Sequence, residues 1–447
     1  MNSATRQPDS GSSQQLARRL GLFDATMLVM GGTVGAGIFI NPYVVAQRVH
    51  TPALVLGAWL LGGIIALIGA FIWAELADRM PDVGGQYAYL RDVYHPLLAF
   101  LYGWVLLLVI QTGGMAAVTV TFSRYFLELT GVQASDWPVA VITLLVLTVV
   151  NCLGVRAGGT VQSALMVIKI FAIALLVIAG GFLVRGAHIA WRPLSDQPLS
   201  AGLISSFGGA MVPVLFAYGG WQTACFVAGE LKQPRRDLPR ALVLGVIGVV
   251  ALYSSVNFIC VRVLGVSALA STTTPASAVM RAAMGQKGAT LIALGIAVST
   301  LGFLSQSVLT APRVYFAMAE DRVFFRQLAW VHPKTRVPVL AIALQSLWTM
   351  VILLSGRYEQ ILNYVTSMDF IFFALTASCL FLLRRRDQAN AEYFRVPGHP
   401  WTTAFFCCSS LAVVANAIYR YPSNTLIGMA ILATGVPVYY IWKRSSI

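Results

Sequence analysis

Twelve apolar runs follow one another along this 447-residue chain, at about 22–46, 53–77, 96–127, 138–153, 160–184, 204–229, 240–264, 288–318, 338–355, 359–383, 402–419 and 425–442. Most are close to 20 residues, which at 1.5 Å per residue crosses about 30 Å of hydrocarbon. Only helices and closed barrels satisfy their own backbone in lipid. A barrel strand is an alternating segment of about ten residues, and these runs are longer and uniformly apolar. The chain is therefore expected to be an all-α polytopic membrane protein with 12 transmembrane helices, spans 1–12. Composition agrees, with 57% hydrophobic and 11% charged residues, where a soluble domain carries about 25% charge. A soluble enzyme, a disulfide scaffold and a disordered tail are excluded.

No apolar run precedes Leu22, so residues 1–20 read as a polar cytosolic tail and no cleaved signal is expected. Of the 31 Lys and Arg residues, 20 fall on the side that holds the N-terminus and 8 on the other, with Arg124, Lys169 and Arg313 inside spans. The basic side faces the cytoplasm, so both termini are expected inside and the protein in the cytoplasmic membrane. The net charge of +14 is then a topology signal with contact to anionic lipid, not a nucleic-acid site.

Cys152, Cys225, Cys260, Cys379, Cys407 and Cys408 lie in or beside apolar runs and read as small buried hydrophobes. The five histidines stand in loops without metal-ligand spacing, and no hydrolase or nucleotide-loop motif is present. No enzyme activity, metal or cofactor is expected.

Two spans are interrupted in corresponding places. Span 1 holds Gly31, Gly32, Gly35 and Gly37 within GGTVGAGIF, and span 6 holds FAYGGW at 216–221 with Pro213 just upstream. Gly costs about 1 kcal/mol in a helix and Pro removes a hydrogen bond. Spans 1 and 6 open two consecutive blocks of five helices, and matched interruptions of this kind point to an inverted-repeat transporter. Unwound backbone at the midplane presents N–H groups to a carboxylate and carbonyls to a cation. An amino acid carries both.

GGTVGAGIFINP at 31–42, ELADRMPDVGGQYAYLRDVY at 75–94, FAYGGWQTACFVAGELKQPRRDLPRA at 216–241 and TAPRVYFAMAEDRVFFRQL at 310–328 carry a resemblance over nearly the whole chain. The sequence resembles the amino acid–polyamine–organocation (APC) superfamily, in its L-type amino acid transporter (LAT) branch. That implies a LeuT-like fold of 5+5 inverted repeats with broken helices 1 and 6, plus two extra C-terminal helices. The expected units are the tail 1–20, a first repeat 21–185, a second repeat 186–387, and spans 11–12 with a short cytosolic C-terminus over 388–447.

Carried over by position, the resemblance places the substrate carboxylate on N–H groups of Gly35, Ala36 and Gly37. It places the amine on carbonyls of Thr33, Phe216 and Gly219, with the Phe216 ring as a lid. Many relatives have Ser where Ala36 stands; the missing hydroxyl forgoes about 0.5–1.5 kcal/mol. Gly113, Gly114 and Gln222 are candidates for the side-chain pocket. Asp369 lies inside span 10, where a charge costs at least roughly 2.5–3.5 kcal/mol, and is a candidate gate or structural partner. In sodium-independent members that resemble this chain, a span 5 lysine replaces a cation bridging the broken first helix to span 8. Lys169 would take that role here, with Ser299 beside it.

The implied function is sodium-independent transport of neutral L-amino acids by alternating access, as an exchanger. Proton-coupled symport, for which Lys169 would be the carrier, is the alternative mechanism, and a non-transporting sensor is the alternative of another class. Eukaryotic relatives join a heavy subunit through a cysteine between spans 3 and 4. The segment ELTGVQASDW at 128–137 has none, so no disulfide-linked heavy subunit is expected.

Overall fold

The computed structural model describes residues 16, 18–185, 188–189, 191–195, 198, 200–355, 358–386, 393–420 and 422–445. Most of the expected N-terminal tail, and Arg357 of the opposite-side basic set, lie outside these. The first part of the chain forms α1 (Leu22–Thr33), α2 (Gly37–Ala46), α3 (Pro52–Arg79), α4 (Gln86–Val93) and α5 (Pro96–Val105). A π turn at Leu106–Ile110 joins α5 to α6 (Gln111–Thr130), followed by α7 (Asp136–Cys152) and α8 (Val155–Phe182). Next come α9 (Ala201–Tyr218), a 3₁₀ helix at Trp221–Glu230, α10 (Pro234–Ser271), α11 (Pro275–Thr310) and α12 (Pro312–Glu320). The last part holds α13 (Val339–Ser355), α14 (Tyr358–Arg386), α15 (Trp401–Arg420) and α16 (Pro422–Ser445).

Proline sets many of the starts. Pro52, Pro96, Pro234, Pro275 and Pro312 stand in first turns, where a missing N–H costs nothing. Thr51 adds a side-chain cap to α3, and His95 caps α5. Two helices outrun their apolar runs. Span 7 continues past a bend at Gly265, and span 8 begins ahead of a bend at Gly285, both glycines in the left-handed region.

Among the described residues, nine helices are long and apolar enough to cross a membrane, and the bent pair of α1 and α2 makes a tenth. The apolar helices α7 and α13, at 17 residues each, are shorter. This is a multi-pass helical membrane protein. The α1–α2 pair packs on α10 and α11, α3 packs on α10, and α6 packs on α11.

Leu20 marks one face of the bundle. The Leu20 and Arg19 amides donate to the Glu230 carbonyl, and Glu230 pairs with Arg313 of α12. Asp321, just past α12, accepts from Tyr87 and Arg91 of α4, while Trp442 packs on Phe324 and Phe325. Both ends of the described chain therefore emerge on this face.

Candidate functional site

Helix α1 stops at Thr33, where Val34 leaves helical geometry at ψ 89, and α2 restarts at Gly37 with its axis turned by 41°. The Gly35 amide donates back to the Thr33 carbonyl at 2.9 Å. The Ala36 and Gly37 amides have no acceptor among the described residues. They open the positive end of α2, the geometry that accepts a carboxylate.

The second break lies at Gly219 and Gly220, with Gly220 at φ 102. Pro213 lies more than three turns into α9 and leaves it continuous. The Phe216 carbonyl accepts from the Gly219 amide at 3.1 Å, and the Gly219 carbonyl accepts nothing among the described residues. Gln222 was expected in the side-chain pocket. It lines the cavity, but its Oε1 accepts from the Gly220 amide at 3.0 Å and braces the break.

The two breaks meet. A β-carbon on Gly32 would stand 2.7 Å from the Gly220 carbonyl oxygen, so only glycine permits this crossing. Tyr253 of α10 ties both segments: its hydroxyl lies 2.9 Å from the Thr33 carbonyl and 3.1 Å from that of Ala217, sharing one proton. With Gly35 and Tyr253 as donors, the Thr33 carbonyl is engaged within the protein in this conformation. Farther along, Asn41 donates to the Pro213 carbonyl at 2.8 Å, joining α2 to α9.

Lys169 of α8 is fully buried and reaches the first break. Its Nζ donates to the Val34 carbonyl at 2.5 Å and to that of Gly31 at 3.4 Å. Ser299 of α11 donates to the Val34 carbonyl at 3.4 Å and the Gly35 carbonyl at 3.3 Å. The lysine thus meets Ser299 through the shared Val34 carbonyl rather than directly. Gly302 makes the room, since a β-carbon there would lie 2.6 Å from Lys169 Cε.

A cavity of about 270 Å³ lies over the two breaks, just below the roughly 300–1,000 Å³ of drug-sized sites. Gly35, Ala36 and Gly37 line it on one side; across from them α6 contributes Gln111 and Gly114, and α14 contributes Asp369. Gly113 is buried beside Gly114 and does not line it. Asp369 has no hydrogen-bond or ion-pair partner among the described residues. Phe216 is 43% exposed at the edge of this space.

Toward Leu20 the lining ends at Thr223 and Gln306, which bond to each other at 2.5 Å. Beyond them the Glu230–Arg313 pair is wholly buried at 2.8 Å. Glu75 holds Arg384, Arg79 and the Val396 amide. Away from Leu20 the lining continues through Asn41, Thr121 and Val365. The cavity is therefore reached from the face opposite Leu20. A second recess, near Leu20, is larger but polar and lies apart from both breaks.

Tyr253, Gly302, Gln306 and Thr223 escaped the sequence reading. The one available signal was a lone tyrosine in the middle of an apolar run, at the same depth as the glycines.

Two broken helices crossing beneath a small cavity define a membrane transporter of the broken-helix class. The chain belongs to the amino acid permease family, whose profile matches residues 20–441. It is 31% identical to the serine/threonine exchanger SteT of Bacillus subtilis, over 96% of this chain and 98% of that one. It is 28% identical to the large neutral amino acids transporter small subunit 2 of Rattus norvegicus, over 98% and 86%. Identity to the human cystine/glutamate transporter is 27%, over 98% and 88%.

Proposed function

We propose that this permease, built of two inverted blocks at 21–185 and 186–387, exchanges neutral L-amino acids across the cytoplasmic membrane without sodium, by alternating access. The carrying observation is the Lys169 ammonium on the Val34 carbonyl at 2.5 Å, with Ser299 on the same oxygen. A cation already fixed between the broken helix and α11 leaves no role there for a sodium ion. The Ala36 and Gly37 amides and the Gly219 carbonyl, without partners among the described residues and lining one cavity, offer donors to a carboxylate and an acceptor to an amine. The names of the Bacillus and rat relatives, an exchanger and a neutral amino acid transporter, support the substrate class.

The topology is twelve spans with both ends cytoplasmic, which makes the present conformation open to the outside. The bundle of spans 1, 2, 6 and 7 rocks against spans 3, 4, 8 and 9. Proton coupling is the second reading, favoured by one fact: among the described residues Lys169 bonds only to backbone carbonyls, without a carboxylate. The rat relative is by name a small subunit. This chain lacks a cysteine at 128–137 and is expected to work alone. Counterflow in proteoliposomes tests both points. Labelled serine should enter only when unlabelled amino acid is inside, equally in sodium and choline buffers. Uptake into empty vesicles driven by a pH gradient would replace exchange with symport.

A further inference from the structure

Apart from the cavity at the breaks, four cationic side chains converge on one recess of about 560 Å³ at the Leu20 face. Arg18 and Arg19 come from the segment ahead of α1, Arg156 from the first turn of α8, and Lys232 from the stretch after the 3₁₀ helix. Asp24 is the one acid in the lining, and its Oδ2 already accepts from the Gly21 amide. None of the four cations has a hydrogen-bond or ion-pair partner from its side chain among the described residues. By contrast, Arg79 and Arg384 on this face are held by Glu75, and Arg91 by Asp321. Four like charges crowded into a concave space repel one another and raise the local anion concentration.

The recess lies at the starts of α1 and α8, where their apolar runs begin and the headgroup layer is expected. Basic pockets between membrane helices at this level suit anionic headgroups. We propose that the recess binds a phosphate group, that of an anionic membrane lipid, and that its occupancy holds the Leu20 face closed. The second half follows from which segments form the walls. Arg19 and Leu20 donate to the Glu230 carbonyl at 2.9 and 3.0 Å, and the Lys232 amide donates to Leu20 at 2.9 Å. The Leu20 side chain rests on Gly159 of α8, where a β-carbon would come within 3.2 Å of it. An anion among the four cations clamps the segment before α1, the segment after the 3₁₀ helix and α8. Opening this face requires those segments to part.

Binding is read without transport, so failure of the exchange reading leaves this proposal standing. The full chain in neutral detergent is heated alone, with dioctanoyl phosphatidylglycerol, with dioctanoyl phosphatidylcholine, and with inorganic phosphate at matched ionic strength. Phosphatidylglycerol should raise the melting temperature by at least about 3 °C over phosphatidylcholine. The difference should vanish in Arg156→Gln/Lys232→Gln and persist in Arg235→Gln/Arg236→Gln, whose residues lie on the same face outside the recess. If the double variant does not fold, Lys232→Gln alone, at an exposed position, should at least halve the difference. Equal melting in the two lipids would overturn the proposal in the wild type, whatever the variants do. Loss of the effect in the Arg235/Arg236 variant would reduce it to general surface charge and overturn the site. Stabilisation by inorganic phosphate as strong as by the lipid would overturn the lipid assignment.

Discussion

Gly32 and Gly220 stand back to back where the two broken helices cross, so close that a β-carbon on Gly32 would lie 2.7 Å from the Gly220 oxygen and 2.9 Å from Gln306 Nε2. Gly220 is moreover left-handed, at φ 102. Backbone contact at this crossing positions the Ala36, Gly37 and Gly219 groups relative to each other. Gly220→Ala should cost about 1–3 kcal/mol locally and lower substrate affinity at least tenfold, read by binding calorimetry. Gly37 sits beside the cavity with looser surroundings, where a β-carbon would lie 3.4 Å from the Ala217 methyl, so Gly37→Ala should be milder.

Gly302 should act through Lys169 alone. A methyl group there, at 2.6 Å from Cε and 3.0 Å from Nζ, must push the ammonium off the Val34 carbonyl. Gly302→Ala is expected to reproduce most of the transport loss of Lys169→Ala while the protein still folds. Added to Lys169→Ala it should do little more, because the two changes remove one interaction.

Gly114 faces open space: a β-carbon there meets nothing within 4 Å. Lengthening its side chain should shrink the cavity without disturbing α6. Gly114→Val is expected to cut exchange of leucine-sized substrates tenfold or more and that of serine by less. A competition panel against labelled serine reads the difference.

Asp369 lines the cavity without a partner among the described residues. A charge inside a membrane protein that serves only structure is normally paired, as Glu230 is with Arg313. Removing an unpaired one should not hurt the fold. Asp369→Asn is expected to melt at the same temperature or higher and to exchange more slowly. A lower melting temperature with unimpaired exchange would mark Asp369 as structural.

Much of this was legible in the sequence because lipid is an undemanding solvent to read. Apolar length gave the helices, and paired glycine clusters gave both breaks, since little else than glycine tolerates such a crossing. Pro213 does not make the break in span 6, because α9 runs through it; a proline in a membrane helix can bend without unwinding. Gln222 was placed in the pocket by position alone, and only coordinates reveal that its oxygen is taken by the Gly220 amide. Gly113 and Gly114 are adjacent in sequence, but α-helical rotation turns only Gly114 to the cavity. Tyr253 and Gly302 were hidden for a deeper reason. Each acts on a residue far away in sequence, and nothing local distinguishes them from packing.

Sodium-free counterflow in wild type and Lys169→Ala proteoliposomes is the most direct test of the ammonium at Val34. The wild type should exchange serine at the same rate in sodium and choline buffers, with no driven accumulation. The alanine variant, equally well reconstituted, should lose at least nine-tenths of that rate, through loss of the two hydrogen bonds to Val34 and Gly31. A wild type that needs sodium, or an alanine variant that exchanges normally, would contradict the assignment of Lys169 as the resident cation of the broken helix.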